Sequence, residues 1–396
     1  MQPLAVTSYT LVSPLGRGRA ATWAALASER SGLRPYDLEW APGGGWIGRV
    51  DGIESEALPH NLSAFDCRNN RLAKMGLKAD NFDQSVADAV SRYGADRVAL
   101  VLGTSTSGLQ SGEAAYRARS PITGALPDEF NFNETQDYYA LADFVHRYLG
   151  LRGPAFVVST ACSSSAKAFV DGAQLIESGM ADAVVVGGVD SLCLMTLRGF
   201  ASLELISPEP CRPNDVARKG LNIGEAAGFA ILERADRAAG RSIQLLGYGE
   251  SSDAYHMSSP HPEGLGAQRA MRAALARAEL EASRVDYINL HGTGTPINDR
   301  IEDAAVLAVF GDTTPVSSTK GWTGHALGSA GIVEAALSFI AIEQGFLPRN
   351  LNLETLDPTF RSNVLRESRR ADIDVVMSNS FGFGGNNCSL VFGRPS

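Results

Sequence analysis

Apolar runs of strand length alternate with amphipathic stretches of helical length along the chain. Val98 to Gly103 (VALVLG), Phe156 to Ser159, Ala183 to Gly188 (AVVVGG), Tyr287 to His291 and Val375 to Ser378 read as strands. Their alternation with helical segments predicts an α/β protein. The runs are continuous and rich in valine rather than alternating in and out, which predicts sheets covered on both faces.

The pattern repeats. VVST-ACSSSAKAFVDGAQLIESG around Val157 and VSST-KGWTGHALGSAGIVEAALSFIAIEQG around Val316 share a strand, a Ser-Thr pair, a turn of small residues, a long helix and a closing glycine. AVVVGGVDS follows the first unit, and VVMSNSFGFGG follows the second after a long excursion. Two similar halves about a pseudo-twofold axis are expected, with the boundary near Arg234 to Arg241.

With 396 residues, 44% hydrophobic and 20% charged, the chain is long enough for two or three domains or one duplicated body, and its composition is globular. No stretch reads as an uninterrupted bilayer span and the opening residues do not read as a signal peptide, so the expectation is a cytoplasmic protein away from membranes. A formal charge of −9 argues against general binding of nucleic acid or anionic lipid. Five scattered cysteines without a CxxC pair suggest reduced thiols rather than disulfides or structural zinc.

Cys162 follows a strand and precedes a helical pattern running through Phe169, Ala173 and Ile176. A helix N-terminus there would lower the thiol pKa, and the small neighbours would leave the sulfur accessible. His291 ends a strand and opens HGTGTPIND; His325 lies in KGWTGHALGSAG, again between strand and helix. One such histidine is commonly structural, but two in matching settings beside a similarly placed cysteine point to one active site. A thiol with two imidazoles suits acyl transfer. Lys320 can bias the local field, Glu302 could neutralise that lysine, and the segment Asn379 to Asn386 offers backbone N–H groups for an oxyanion hole.

The residues resemble the β-ketoacyl-acyl carrier protein synthases of the decarboxylating Cys-His-His type, in the thiolase-like superfamily. TACSSSAKAF, CRPNDVARKGLNIGEAAGFAILE, SSDAYHMSSP, HGTGTPIND, STKGWTGHALGSAG and NSFGFGGNN match in family order over essentially the whole chain. The resemblance implies a thiolase-like fold of five α-β-α-β-α layers. Residues 1–236 would carry the nucleophile, and 237–396 both histidines. It implies that Cys162 accepts an acyl group and that His291 and His325 bind the malonyl thioester and promote decarboxylation. Lys320 and Glu302 would form a supporting ion pair. The N–H groups of Cys162 and Phe383 would form the oxyanion hole, with Phe383 also the gate. Thr293 and Thr295 would hold the phosphopantetheine arm. Phe381 and a second mobile loop, Asp253 to Ser258, would complete the substrate site. No cofactor or metal is implied, the substrates bringing phosphopantetheine on an acidic acyl carrier protein.

A homodimer is expected, or a heterodimer with a related synthase or chain-length-factor subunit. Arg68, Arg71 and Lys74, on one helical face, are candidates to meet the acidic carrier. The hydroxyl-rich loop GTSTSGLQSGEAAY and CSSSAKAF depart from the fatty-acid elongation enzymes and look closer to specialised pathways such as aryl polyene assembly. A thiolase would need Cys388, which sits in an apolar strand pattern instead. A Cys-His hydrolase would need only one histidine. A non-catalytic chain-length factor would lack the nucleophile. His256 and His261 read as loop residues rather than a metal pair, and GRGRAA is too partial for a dinucleotide fingerprint.

Overall fold

Ten main strands fall into two sets of five with the same topology. The first set is β1 (Leu4–Ser13), β2 (Val98–Gly103), β3 (Ala155–Val158), β4 (Ala183–Asp190) and β5 (Ala226–Arg234). The second is β6 (Gln244–Ser252), β7 (Tyr287–Asn289), β8 (Pro315–Ser317), β9 (Val375–Gly382) and β10 (Asn386–Gly393). Their spatial orders are β3-β2-β4-β5-β1 and β8-β7-β9-β10-β6. In each set the first three strands are parallel and the last two antiparallel. β1 and β6 pair across the seam, Leu4 opposite Leu245, so the sets form one continuous hydrogen-bonded sheet. The computed structural model describes residues 1–40, 43–237 and 243–395; of the expected boundary, residues 238–241 lie outside the described residues.

Nine helices bear on the site. They are α1 (Arg68–Lys78), α2 (Phe82–Tyr93), α3 (Leu109–Arg117), α4 (Tyr138–Leu149), α5 (Ser164–Glu177), α6 (Leu194–Ser202), α7 (Leu265–Ala278), α8 (Pro296–Phe310) and α9 (Ala330–Gln344). α5 and α9 pack on each other between the two sets of strands, while α1, α2 and α4 cover the outer face of the first set and α7 and α8 that of the second. This gives five layers. The strand residues divide accordingly: Val98, Leu100 and Leu102 of β2 join the outer core, and Ala99 and Val101 the inner one. Burial on both faces is why these runs show no in-out alternation.

α9 is buried almost all round. The segment Leu327–Gln344, with mean hydropathy 1.2, is long and apolar enough to cross a membrane by length and composition alone, but Glu334 interrupts its apolar run and 89% of it lies inside the protein. Its apolar character is that of a core helix. β3 departs from expectation. It is the edge of the first set, and Phe156 is 46% exposed.

Candidate active site

Cys162, His291 and His325 come from three separate strand-to-helix connections and converge. Their ligating atoms lie within 4.8 Å of one another, and all three residues are buried. Ala161 takes a left-handed backbone (φ 53°), turning the chain sharply between β3 and α5 so that Cys162 sits at the elbow. Thr160 N–H donates to Ser164 Oγ at 2.9 Å, and that hydroxyl donates to Ala161 O at 2.6 Å, fastening the turn. His325 is pinned between two backbone groups of the first half: its N–H donates to Asn222 O at 2.8 Å, and its carbonyl accepts from Gly224 N at 2.9 Å.

His325 Nε2 lies 3.0 Å from Cys162 Sγ. On the other side of the ring, Leu327 N–H donates to Nδ1 at 3.2 Å, so the imidazole proton belongs on Nε2. His291 is oriented the same way, its Nδ1 facing the Lys320 ammonium at 3.4 Å. The two rings stand nearly perpendicular, centroids 5.4 Å apart. Burial holds both imidazoles well below the usual histidine pKa, and Lys320 adds to the effect. They are neutral N–H donors aimed into the pocket.

A thiol and two imidazoles at this spacing could otherwise ligate zinc. Metal-binding histidines, however, donate their second N–H outward to an acceptor. Here both Nδ1 atoms meet donors, which favours the opposite tautomer.

Three expectations need correction. Lys320 does not pair with Glu302. Its ammonium bonds Glu334 on α9 and the His291 carbonyl, all three residues being buried. Glu302 instead accepts the N–H groups of His291 and Gly292 at 2.8 and 2.7 Å, bracing the loop that carries the histidine. The sign available in the sequence was Glu334 itself, a lone acid in the apolar run AGIVEAALSFI, which burial obliges to find a cation.

The Cys162 thiol, secondly, is not acidified. Burial pushes it up to about 11, although Lys320 and the Phe383 N–H work the other way. Dryness outweighs the helix N-terminus. Thirdly, α1 is helical as expected, but its cations are spent within the chain. Arg68 grips Glu225 through two bonds and Glu54 through a third, Arg71 pairs with Asp66 and Lys74 with Glu56.

A cavity of about 380 Å³ leads to the triad. Thr293 and Thr295 line it, their hydroxyls 2.8 Å apart. Phe381 lines it too and packs against the His291 ring, centroids 6.2 Å apart. Asp253 and Ser258 also border the cavity, but the Asp253 carboxylate is engaged by Asn387 Nδ2 at 2.8 Å and His261 N–H at 3.0 Å, making it a latch between two loops. Gly384 N–H donates to Met257 O at 2.8 Å, tying the same loops together. The Phe383 N–H faces the sulfur. Gly382 makes that approach possible, since a Cβ there would lie 2.9 Å from Thr160 O and 3.2 Å from Cys162 N.

His256 and His261 stay in their loop, each Nδ1 accepting a backbone N–H two residues on. The hydroxyls of the 103–116 loop also have a local use. Thr104, Ser105 and Thr106 give Asp190, a fully buried carboxylate ending β4, four hydrogen bonds of 2.7 to 2.9 Å, and Ser329 N–H adds a fifth. Cys388 is buried in β10, as the apolar pattern requires.

Comparison with known proteins agrees with this geometry. The family model described as Beta-ketoacyl synthase, N-terminal domain, matches residues 1–238, and Beta-ketoacyl synthase, C-terminal domain, matches 243–354. A 3-oxoacyl-[acyl-carrier-protein] synthase 2 from Rhizobium meliloti is 34% identical, the alignment covering 100% of this chain and 99% of the relative. Among solved structures, the ketosynthase ApeO of Xenorhabdus doucetiae, in complex with its chain length factor ApeC, superposes with a TM-score of 0.91 at 38% identity over 100% of this chain and 98% of that one. The ishigamide ketosynthase/chain length factor gives 0.89 at 28% identity, with full coverage of both chains. With both family models matched in order and three reactive side chains gathered at the junction of two like halves, the chain belongs to the beta-ketoacyl synthase family.

Proposed function

We propose that this chain is the catalytic ketosynthase of an acyl-chain elongation system, condensing an enzyme-bound acyl group with malonyl-acyl carrier protein. One observation carries the reading: two neutral imidazoles present Nε2–H donors to the same space as the Cys162 sulfur. Cys162 attacks the acyl thioester, the oxyanion resting on the Cys162 and Phe383 N–H groups. The carrier's sulfur leaves with the thiol proton, and an acyl-cysteine remains. Malonyl thioester then loses carbon dioxide. The charge arriving on its carbonyl oxygen is met by His291 and His325, which stabilise the enolate without quenching its carbon with a proton. That carbon attacks the acyl-cysteine, the β-ketoacyl thioester departs on the carrier, and the Cys162 sulfur takes up a proton from solvent. Lys320 and Glu302 support the histidines, the first through His291 Nδ1 and the second through the loop backbone. Thr293 and Thr295 are suited to a phosphopantetheine arm, and the reaction needs no bound cofactor.

A chain-length-factor-like partner is favoured by the likeness to ketosynthases solved with such factors and by the free edge of β3. Phe156 on that strand and Tyr138 and Tyr139 at the start of the adjoining α4 are each about half exposed. An open, apolar strand edge invites pairing with a second subunit. The five unpaired, buried thiols fit a reducing cytoplasm. A polyene-type substrate is the finer reading and rests on the CSSSAKAF segment, because the Thr104 and Thr106 hydroxyls of the loop that also suggested it serve Asp190. The test is intact-mass analysis of protein and products with malonyl carrier protein and saturated, unsaturated and aryl acyl primers. His325→Ala is expected to retain acylation at Cys162 and lose condensation, while Cys162→Ala loses both. Retention of condensation by both variants would discard the assignment.

A further inference from the structure

α6 carries a residue of the gate and is only partly packed into the protein, through Leu194, Leu197 and Phe200. None of its nine residues is buried, its N-cap Cys193 makes no side-chain capping bond, and its first turn holds no acid. Beneath Leu194, Leu197 and Ala201 lies a cavity of about 220 Å³ facing Tyr36, Trp46 and Ile223. From its other side Phe200 enters the substrate cavity and stacks on Phe383, centroids 5.5 Å apart and planes 20° from parallel. Phe383 is the residue whose backbone N–H faces the Cys162 sulfur.

One side chain outside the helix holds its N-terminus. Glu113 of α3 accepts Leu194 N–H at 3.0 Å on one carboxylate oxygen and Met195 N–H at 2.7 Å on the other. A carboxylate on the first two free amides of a helix makes charge-assisted bonds and meets the positive end of the helix dipole. Leu194, Leu197 and Phe200 rest on a small buried cluster that includes Ile47, Leu221 and Ile223, and these bonds fix the N-terminus of α6 above it.

We propose that Glu113 is a positioning residue for acyl transfer: by holding the N-terminus of α6 it keeps Phe200 against Phe383, and so keeps the Phe383 N–H aimed at the oxyanion. The proposal rests on the ketosynthase reading above. It separates two half-reactions that a general structural role would not, because the oxyanion of acylation uses Phe383 while the enolate of decarboxylation uses the two histidines.

The test measures both half-reactions in wild type, Glu113→Ala, Glu113→Gln, Phe200→Ala and the double variant E113A/F200A. Acylation of Cys162 is followed by intact mass against acyl carrier protein concentration, and carbon dioxide release from malonyl carrier protein is followed separately. Loss of one aligned oxyanion donor slows acyl transfer by up to about 10²–10³-fold, and misalignment costs part of that. Glu113→Ala is expected to lower the maximal acylation rate about tenfold or more, with KM and decarboxylation within about twofold of wild type. Glu113→Gln, whose amide oxygen accepts one of the two bonds, should fall between them. The double variant should be no slower than the slower single variant, since both changes break one chain of contacts. Unchanged acylation in Glu113→Ala, parallel loss of acylation and decarboxylation, or multiplying effects in the double variant would overturn the proposal. Should Glu113→Ala fail to fold, the comparison of Glu113→Gln with Phe200→Ala decides on the same criteria. Wild-type protein that takes no acyl group on Cys162 would instead overturn the ketosynthase reading itself.

Discussion

The partner of Lys320 can be identified by measuring couplings. Glu334→Gln leaves an ammonium that is 1% exposed without its anionic partner, facing neutral acceptors such as the His291 carbonyl and Nδ1. Removing one member of a buried ion pair costs about 3–5 kcal/mol, most of it the penalty of the stranded charge. Lys320→Met should cost less. The carboxyl of Glu334, already raised by burial, can take up a proton and remain neutral in its place. The double variant K320M/E334Q removes both charges at similar volume and should recover much of the loss, giving a coupling of about 2–3 kcal/mol. Glu302 accepts two backbone amides, and Lys320 is only a minor influence on it. The coupling of Lys320→Met with Glu302→Gln should therefore stay below about 1 kcal/mol. Urea denaturation followed by tryptophan fluorescence gives both cycles. A 320/302 coupling equal to or larger than the 320/334 coupling would refute the argument and restore the pairing expected from sequence.

Three other outcomes follow from the same geometry. Because burial pushes the Cys162 thiol up to about 11, its alkylation by iodoacetamide should still be rising at pH 9; a plateau near pH 7 would mean an acidified thiol. Burial raises Glu302 to about 7, so as pH falls through 7 its carboxylate protonates and loosens its hold on the His291 and Gly292 N–H groups. Decarboxylation should fall on that acid limb in wild type and be low and flat in Glu302→Gln. The imidazoles, held well below their usual pKa, stay neutral there, and a limb near 6.5 retained in the variant would assign it to histidine instead. Phe156→Arg places a charge on the open edge of β3 and should turn a dimer into monomers by analytical ultracentrifugation, whereas an unchanged dimer would move the interface elsewhere.

The duplicated α/β plan was legible because each half spells it out: valine runs mark the doubly covered strands, and the Ser-Thr pairs mark the turns into α5 and α9. The triad was legible for a related reason, all three side chains standing at strand ends beside small residues. What stayed hidden depends on direction and dryness. Two acids, Glu302 and Glu334, were available to Lys320, and only the packing of α9 turns Glu334 toward it. The helix start after Cys162 was visible, but the burial that outweighs its effect on the thiol was not. The spacing of Arg68, Arg71 and Lys74 put them on one face of a helix if the segment formed one, as it does, yet Glu225, which claims Arg68, lies 157 residues away. Likewise the threonines at 104 and 106 read as a substrate signal because Asp190, on another strand, was not yet known to face them.

The duplication also explains why the sulfur and one imidazole meet so closely. Cys162 and His325 occupy equivalent places in the two halves, each between the edge strand of its set and an inner helix, with a left-handed residue at or near each turn, Ala161 and Leu327. The distance between them is therefore set by how α5 and α9 pack rather than by long loops. That packing leaves little latitude: a Cβ on Gly331 of α9 would lie 2.4 Å from Ala166 N of α5, and Ser165 Oγ accepts Ile332 N–H at 3.0 Å. His291 comes from β7, outside this symmetric pair, and is braced instead by Lys320 and Glu302. Nucleophile and first donor are thus fixed by the rigid centre of the molecule. The mouth of the substrate cavity is bordered instead by α6 and the loops carrying Phe383 and Ser258.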